Sequence, residues 1–265
     1  IDERSLDTNN LVVETSSQET GAIRALSDRV SGIERISDTP ALVADKLAGG
    51  LSLMGALEAL SVGGAKRFLR SHSGNPFDVH MHTGISARRY LLSLPRLSRR
   101  TRLLILLSWG HGYEIRHLDR TLVWTFEAGE QQSFKLDGES QAAVLSSISA
   151  SIEKQPPFDL SKLTGSIAEL VAPASVLKSV WLAQRYVELG HDPEAFFDLM
   201  AEQVCRDDQS EMHAYKLQQA AYDEFYATRS ELRDVHLISA AKHAAVVSRL
   251  GPRTIYPSTL ALTTA

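Results

Sequence analysis

Apolar residues three and four apart, cut at intervals by Gly and Pro, constrain this chain more than any other feature. That spacing makes helices with one greasy face, and such faces must pack on each other. Ile23, Leu26, Val30 and Ile33 follow it from Gly21 onward, and a second helix is expected from Pro40 to Leu47. A third runs from Leu51 to Leu69 with Leu53, Leu57, Leu60 and Phe68 on one side, broken by Ser71-His72-Ser73-Gly74-Asn75-Pro76. Helices are expected next from about Phe77 past Tyr90 and from Thr101 to His117, separated by Pro95. Thr121–Phe126 and Gln132–Leu136 read instead as short β runs around Ala128-Gly129-Glu130, a hairpin signal. Further helices are expected over Gln141–Glu153, Val176–Leu189, Pro193–Cys205, Glu211–Ala227 and Glu231–Leu250. Asp192 is placed to cap the Pro193 helix, with proline at its first position. The expected fold is mainly α, a multi-helix bundle-like domain with at most one short hairpin at about 121–136. Residues 1–20, polar and rich in Ser, Thr, Asn and Asp, read as a flexible lead-in or linker. The helical domain spans 21–250, with an insertion at about 119–165, and 251–265 form a tail.

Composition narrows the partners. Net charge is −4 over 265 residues, and the Lys and Arg are scattered, so no nucleic-acid partner is expected. The cluster Arg96, Arg99, Arg100 and Arg102 precedes a run of five apolar residues and reads as a solvated turn before a buried helix. Cys205 is alone, which excludes a disulfide framework or a cysteine metal site and points to a reducing, cytoplasmic setting. No run approaches the roughly 18 apolar residues of a membrane span. The chain starts at Ile without a signal-peptide pattern, as expected of a processed product or a part of a longer protein.

Chemistry is most visible in Asp207-Asp208-Gln209-Ser210-Glu211-Met212-His213-Ala214-Tyr215-Lys216. An imidazole and an amine three residues apart share one helix face. A lysine on a face that should be buried is costly for a core. A neutral imidazole can ligate a metal, whereas an ammonium has no lone pair. Lys216 could ligate only as a neutral amine or as the carbamate formed with carbon dioxide; the plain reading is a surface His with a snorkelling Lys. A second group lies in Phe77-Asp78-Val79-His80-Met81-His82-Thr83-Gly84. On a helix, residues two apart point roughly 200° from each other, so only one of His80 and His82 would face a given site. His111 and His117 with Trp109 and Tyr113, and His236 with His243, read as core-edge or surface residues. Gly63-Gly64 lies within a helical pattern and signals close packing or a kink. Nucleotide-binding glycine fingerprints, a nucleophile elbow and His-Glu-x-x-His are all missing.

Taken together, the two segments resemble the questin oxidase-like proteins, associated with oxidative ring cleavage of anthraquinones and related polyketides. The likeness is carried by Phe77-Asp-Val-His80-Met-His82-Thr83-Gly84-Ile-Ser-Ala87-Arg88, by Leu94-Pro95-Arg96-Leu97, by Asp207-Asp208, and by His213-Ala-Tyr-Lys216-Leu217 with Ala220, and it closes on Ala240-Ala241. It spans roughly residues 25–247. The resemblance implies a non-haem iron held by several histidines and a carboxylated lysine, with His80, His213 and the Lys216 carbamate as ligands. It also implies a small aromatic substrate and dioxygen. Imidazoles and a carboxylate-like oxygen suit Fe(II), leaving positions open for oxygen and substrate. His82, Trp109, Tyr113 and Tyr215 are the candidates to line the substrate pocket. His82 departs from the family, whose members usually have an apolar residue there. Members also carry an N-terminal half with further ligand histidines that has no counterpart here. Two functions therefore compete: an iron oxygenase, whole or completed by an N-terminal half or partner chain, and a non-catalytic helical ligand-binding or partner subunit that lost the complete metal site.

Overall fold

The computed structural model describes residue 6 and residues 10–70, 80–108, 136–155, 174–206, 212–249 and 255–263. Those residues form a mainly α structure of eleven α-helices and two short 3-10 turns, with no strand among them. The helices are α1 (Thr20–Ser31), α2 (Thr39–Ala48), α3 (Leu53–Arg70), α4 (His80–Leu92), α5 (Arg99–Leu107) and α6 (Gln141–Glu153). They continue as α7 (Ala174–Glu188), α8 (Pro193–Val204), α9 (His213–Ala227), α10 (Asp234–Val247) and α11 (Ile255–Thr263). The hairpin expected at about 121–136 lies, but for Leu136, outside the described residues. No described helix is long and apolar enough to cross a membrane.

Local chemistry sets the helix starts. The Asp192 side chain accepts the backbone N–H of Glu194 at 3.1 Å, with Pro193 leading α8 as its position predicts. Ser98 and Ser140 cap α5 and α6 in the same way. Before α1, Ser16 and Glu19 form a reciprocal capping box. The Glu19 carboxylate also accepts from Ser52 N at 2.7 Å and Ser52 Oγ at 2.8 Å, which ties the start of α1 to the start of α3. Leu53 N and Met54 N bond to the carbonyls of Val12 and Val13, so residues 10–19 are anchored to the bundle rather than loose. Within the expected tail, 255–263 are helical and present Ile255, Leu260 and Leu262 to solvent.

The described helices bury two apolar clusters. One gathers Ile23, Leu26 and Val30 of α1 with Leu53, Leu57 and Leu60 of α3, closed by Leu42, Val43, Ile85, Leu103 and Leu106. The other gathers Val144, Ile148, Leu182, Tyr186, Phe196, Met200, Leu217 and Phe225 around Leu237, Ala240, Ala241 and Ala244 of α10. Each fully buried Leu or Phe contributes on the order of 1.5–3 kcal/mol. α1 lies close on α3 at Gly63, where an added Cβ would come within 2.7 Å of Val30. α10 packs against α3, α6, α7, α8 and α9. From His236 to Val247 all but Ile238 is buried, as befits a helix enclosed by five neighbours.

Candidate functional site: a histidine seam between two cores

The face where α3 and α4 meet α9 and α10 is polar, although it lies between two apolar clusters. Ser61 of α3 sits against His236 of α10, and Phe68 sits against His243, so seven residues on one helix match seven on the other. The two helices therefore run parallel in register over two turns. Likewise His80 meets His213 and Arg89 meets Glu224, which makes α4 and α9 parallel neighbours. The two contacts are roughly 14 Å apart along α4 and 17 Å along α9 at the helical rise per residue.

The expected ligands His80 and His213 come together across α4 and α9. Their rings are 5.3 Å apart, centroid to centroid, and nearly perpendicular at 77°. Two imidazoles holding one ion at ~2.1 Å per nitrogen place their centroids ~4.5–6.4 Å apart as the angle at the metal opens. The pair fits that requirement. Met212, just before His213, has φ 71°, a left-handed backbone that a side chain makes costly and that clusters at functional sites.

Lys216 does not lie on a buried face: it is exposed on α9, one turn beyond His213. Among the described residues the buried amine is Lys242, whose Nζ donates to the carbonyl of Phe68 at 2.6 Å and lies 4.6 Å from the centre of the Phe68 ring. Tyr215 is 45% exposed, on the outside rather than in an interior pocket. Trp109 and Tyr113 lie outside the described residues. Among the described residues no set of three or more His, Cys, Asp or Glu is gathered to hold an ion. Asp207, Asp208 and Glu211, which precede His213 in sequence, lie outside them. A cleft of about 530 Å³ opens beside α1 and α2, lined by Asp28, Arg29, Asp38 and Asp45 among others. It carries none of the imidazoles, and its carboxylates Asp28 and Asp38 are paired with Lys66 and Arg35.

His236 and His243, expected at the core edge or surface, are instead fully buried. The spacing of seven sets both on the α10 face toward α3, and the Ala-rich sequence around them is the signal of complete enclosure. His82 is buried as well, 2% exposed, with its ring 5.9 Å from His236 and 5.6 Å from Phe68. Burial pushes both His82 and His236 down to about 3, helped at His82 by the neighbouring His236 and at His236 by Arg89. Both rings are therefore neutral at pH 7.

A buried ion pair frames them. Arg89 Nε and Nη2 donate to the two oxygens of Glu224 at 2.8 and 2.7 Å, and the Glu224 side chain is wholly enclosed. Burial works against the Arg89 charge, but the hydrogen bonds and charge of Glu224 outweigh it and hold the guanidinium above its usual value. Ser61 Oγ donates to Glu224 Oε2 at 2.6 Å. His236 Nε2 lies 3.2 Å from Thr228 Oγ1 and 3.5 Å from Ser61 Oγ. Ser61 donates its hydroxyl hydrogen to Glu224 and so can only accept from His236; a proton on Nε2 satisfies both Ser61 and Thr228 and leaves the lone pair on Nδ1.

No protein-family model matches the chain, and no curated protein or solved structure shows significant similarity to it.

Proposed function

We propose that this chain is a non-haem iron oxygenase, alone or completed by a further segment or partner chain, that opens the ring of an aromatic polyketide of anthraquinone type with dioxygen. One observation carries the reading: His80 and His213, the histidines of the two segments that resemble the questin oxidase-like proteins, face each other at 5.3 Å although 133 residues separate them in sequence. In this reading His80 and His213 hold the ion, and Lys216 joins them as a carbamate. Bound Fe(II) would supply dioxygen activation. The chain's own work is positional. The Arg89–Glu224 pair fixes α4 against α9 and so keeps the two imidazoles at ligating distance.

The competing reading is a helical ligand-binding or partner subunit without a complete metal site, and the exposed amine of Lys216 favours it. Metal analysis separates the two. Protein expressed with iron should carry about one equivalent, and His80→Ala and His213→Ala should each remove it and abolish oxygen uptake with a hydroxyanthraquinone. Lys216→Ala should weaken iron binding, and bicarbonate should not restore it. Iron-free protein whose ligand binding survives both histidine substitutions would reject the oxygenase.

A further inference from the structure

The buried rings on the other side of α4 call for a ligand of their own. His80 and His82 are two residues apart, so α4 sends them to different neighbours: His80 to His213 on α9, and His82 inward to Phe68 on α3 and His236 on α10. Neither ring nitrogen of His82 has a hydrogen-bond partner, and Nδ1 of His236 has none. Ser239 Oγ, one turn beyond His236 on α10, is likewise unsatisfied. A buried polar atom left unpaired is costly, so these four mark a place built to hold something.

We propose that His82 and His236 form a second transition-metal site, enclosed in the seam and separate from the His80–His213 pair. Their rings stand 5.9 Å apart at 83°, within the span that two imidazoles on one ion require. His236 has the outer support that metal-bound imidazoles need. Its Nε2 is directed by Thr228 and Ser61, and Ser61 is in turn held by Glu224, which leaves Nδ1 for the ion. Arg89, whose charge acts on His236, is neutralised by its two-point pair with Glu224. Imidazole donors suit Zn²⁺, Co²⁺ and Cu⁺, and a small exogenous ligand or water completes the shell.

The test is a Co²⁺ titration of chelator-stripped full chain, followed by visible absorption and equilibrium dialysis, with circular dichroism as the check on folding. The His80→Ala/His213→Ala double variant should still bind one equivalent. His82→Leu should lose that equivalent, and Ser61→Ala should weaken it ~10-fold, as expected of an outer-shell partner. Independently of the His82 substitution, the Co²⁺-loaded double variant should show two strongly shifted imidazole N–H resonances, one from each ring. Full Co²⁺ stoichiometry in His82→Leu, or no shifted imidazole signals, would overturn the site and leave the rings hydrated by internal water only. If the double variant binds no Co²⁺ while His82→Leu binds as the wild type does, this site falls and the His80–His213 reading stands; the reverse pattern rejects that reading and keeps this one.

Discussion

Glu224 is the residue whose loss should be felt most widely. Its enclosed carboxylate takes two hydrogen bonds from Arg89 and one from Ser61. Glu224→Ala would leave a guanidinium that is only 18% exposed without its counter-charge, and Ser61 Oγ without its acceptor. Breaking a buried pair from one side costs ~3–5 kcal/mol, because the surviving charge stays out of water. At ~2–4 °C per kcal/mol for chains somewhat shorter than this one, the melting temperature should drop by ~6–20 °C. Removing both charges at once is a different perturbation. Arg89→Met/Glu224→Leu leaves no stranded ion, so it should recover much of the loss. Urea unfolding of the wild type, Glu224→Ala, Arg89→Met and the double variant completes a cycle, with a coupling energy of ~2 kcal/mol or more expected for such close groups. A Glu224→Ala cost below ~1 kcal/mol, or additive single effects, would refute the claim that this pair locks α4 to α9.

Two further outcomes follow from the packing. His82 and His236 are held near 3 in the fold against about 6.5 in the unfolded chain, so the unfolded state binds more protons and stability falls as pH drops below about 6.5, continuing to about 3. At pH 5 each ring should cost on the order of 2 kcal/mol, visible as a midpoint shift in urea titrations at pH 7 and pH 5 that His82→Leu roughly halves. Gly63→Ala ought to help a helix by propensity, yet its methyl would meet Val30 at 2.7 Å and the Ser27 carbonyl at 2.8 Å. A net loss of ~1–3 kcal/mol is expected, shrinking in a Val30→Ala background, and thermal melts of the three variants check it.

Helices were legible in the sequence wherever periodicity and punctuation agreed. Leu53, Leu57, Leu60 and Phe68 marked the inner face of α3, all of it buried, and Asp192-Pro193 marked the start of α8. The polar seam was not legible, because its residues come from four helices far apart in sequence and no local pattern reports on that meeting. The sequence points His82 to a substrate pocket, and His236 and His243 to the core edge or surface. Only the parallel registers of α3 with α10 and of α4 with α9 bring these rings inward. Lys216 drew notice because its neighbours were apolar, but α9 turns that position to water. Among the described residues the enclosed amine is Lys242, in a stretch where Ala240, Ala241, Ala244 and Ala245 are buried as well.

That lysine bears on how the chain acquires its shape. Lys242 Nζ takes the terminal carbonyls of α3 at Phe68 and Leu69, 2.6 and 3.5 Å away, from a point more than 170 residues downstream. The end of α3 is thus sealed by a residue made late in synthesis. Until α10 emerges, those carbonyls rely on water, and a contact of such sequence separation pays its loop-closure entropy before it returns any stabilisation. α1 and the first turns of α3 can assemble early on the capping contacts of Glu19 with Ser52. The seam closes last, and with it both pairs of rings.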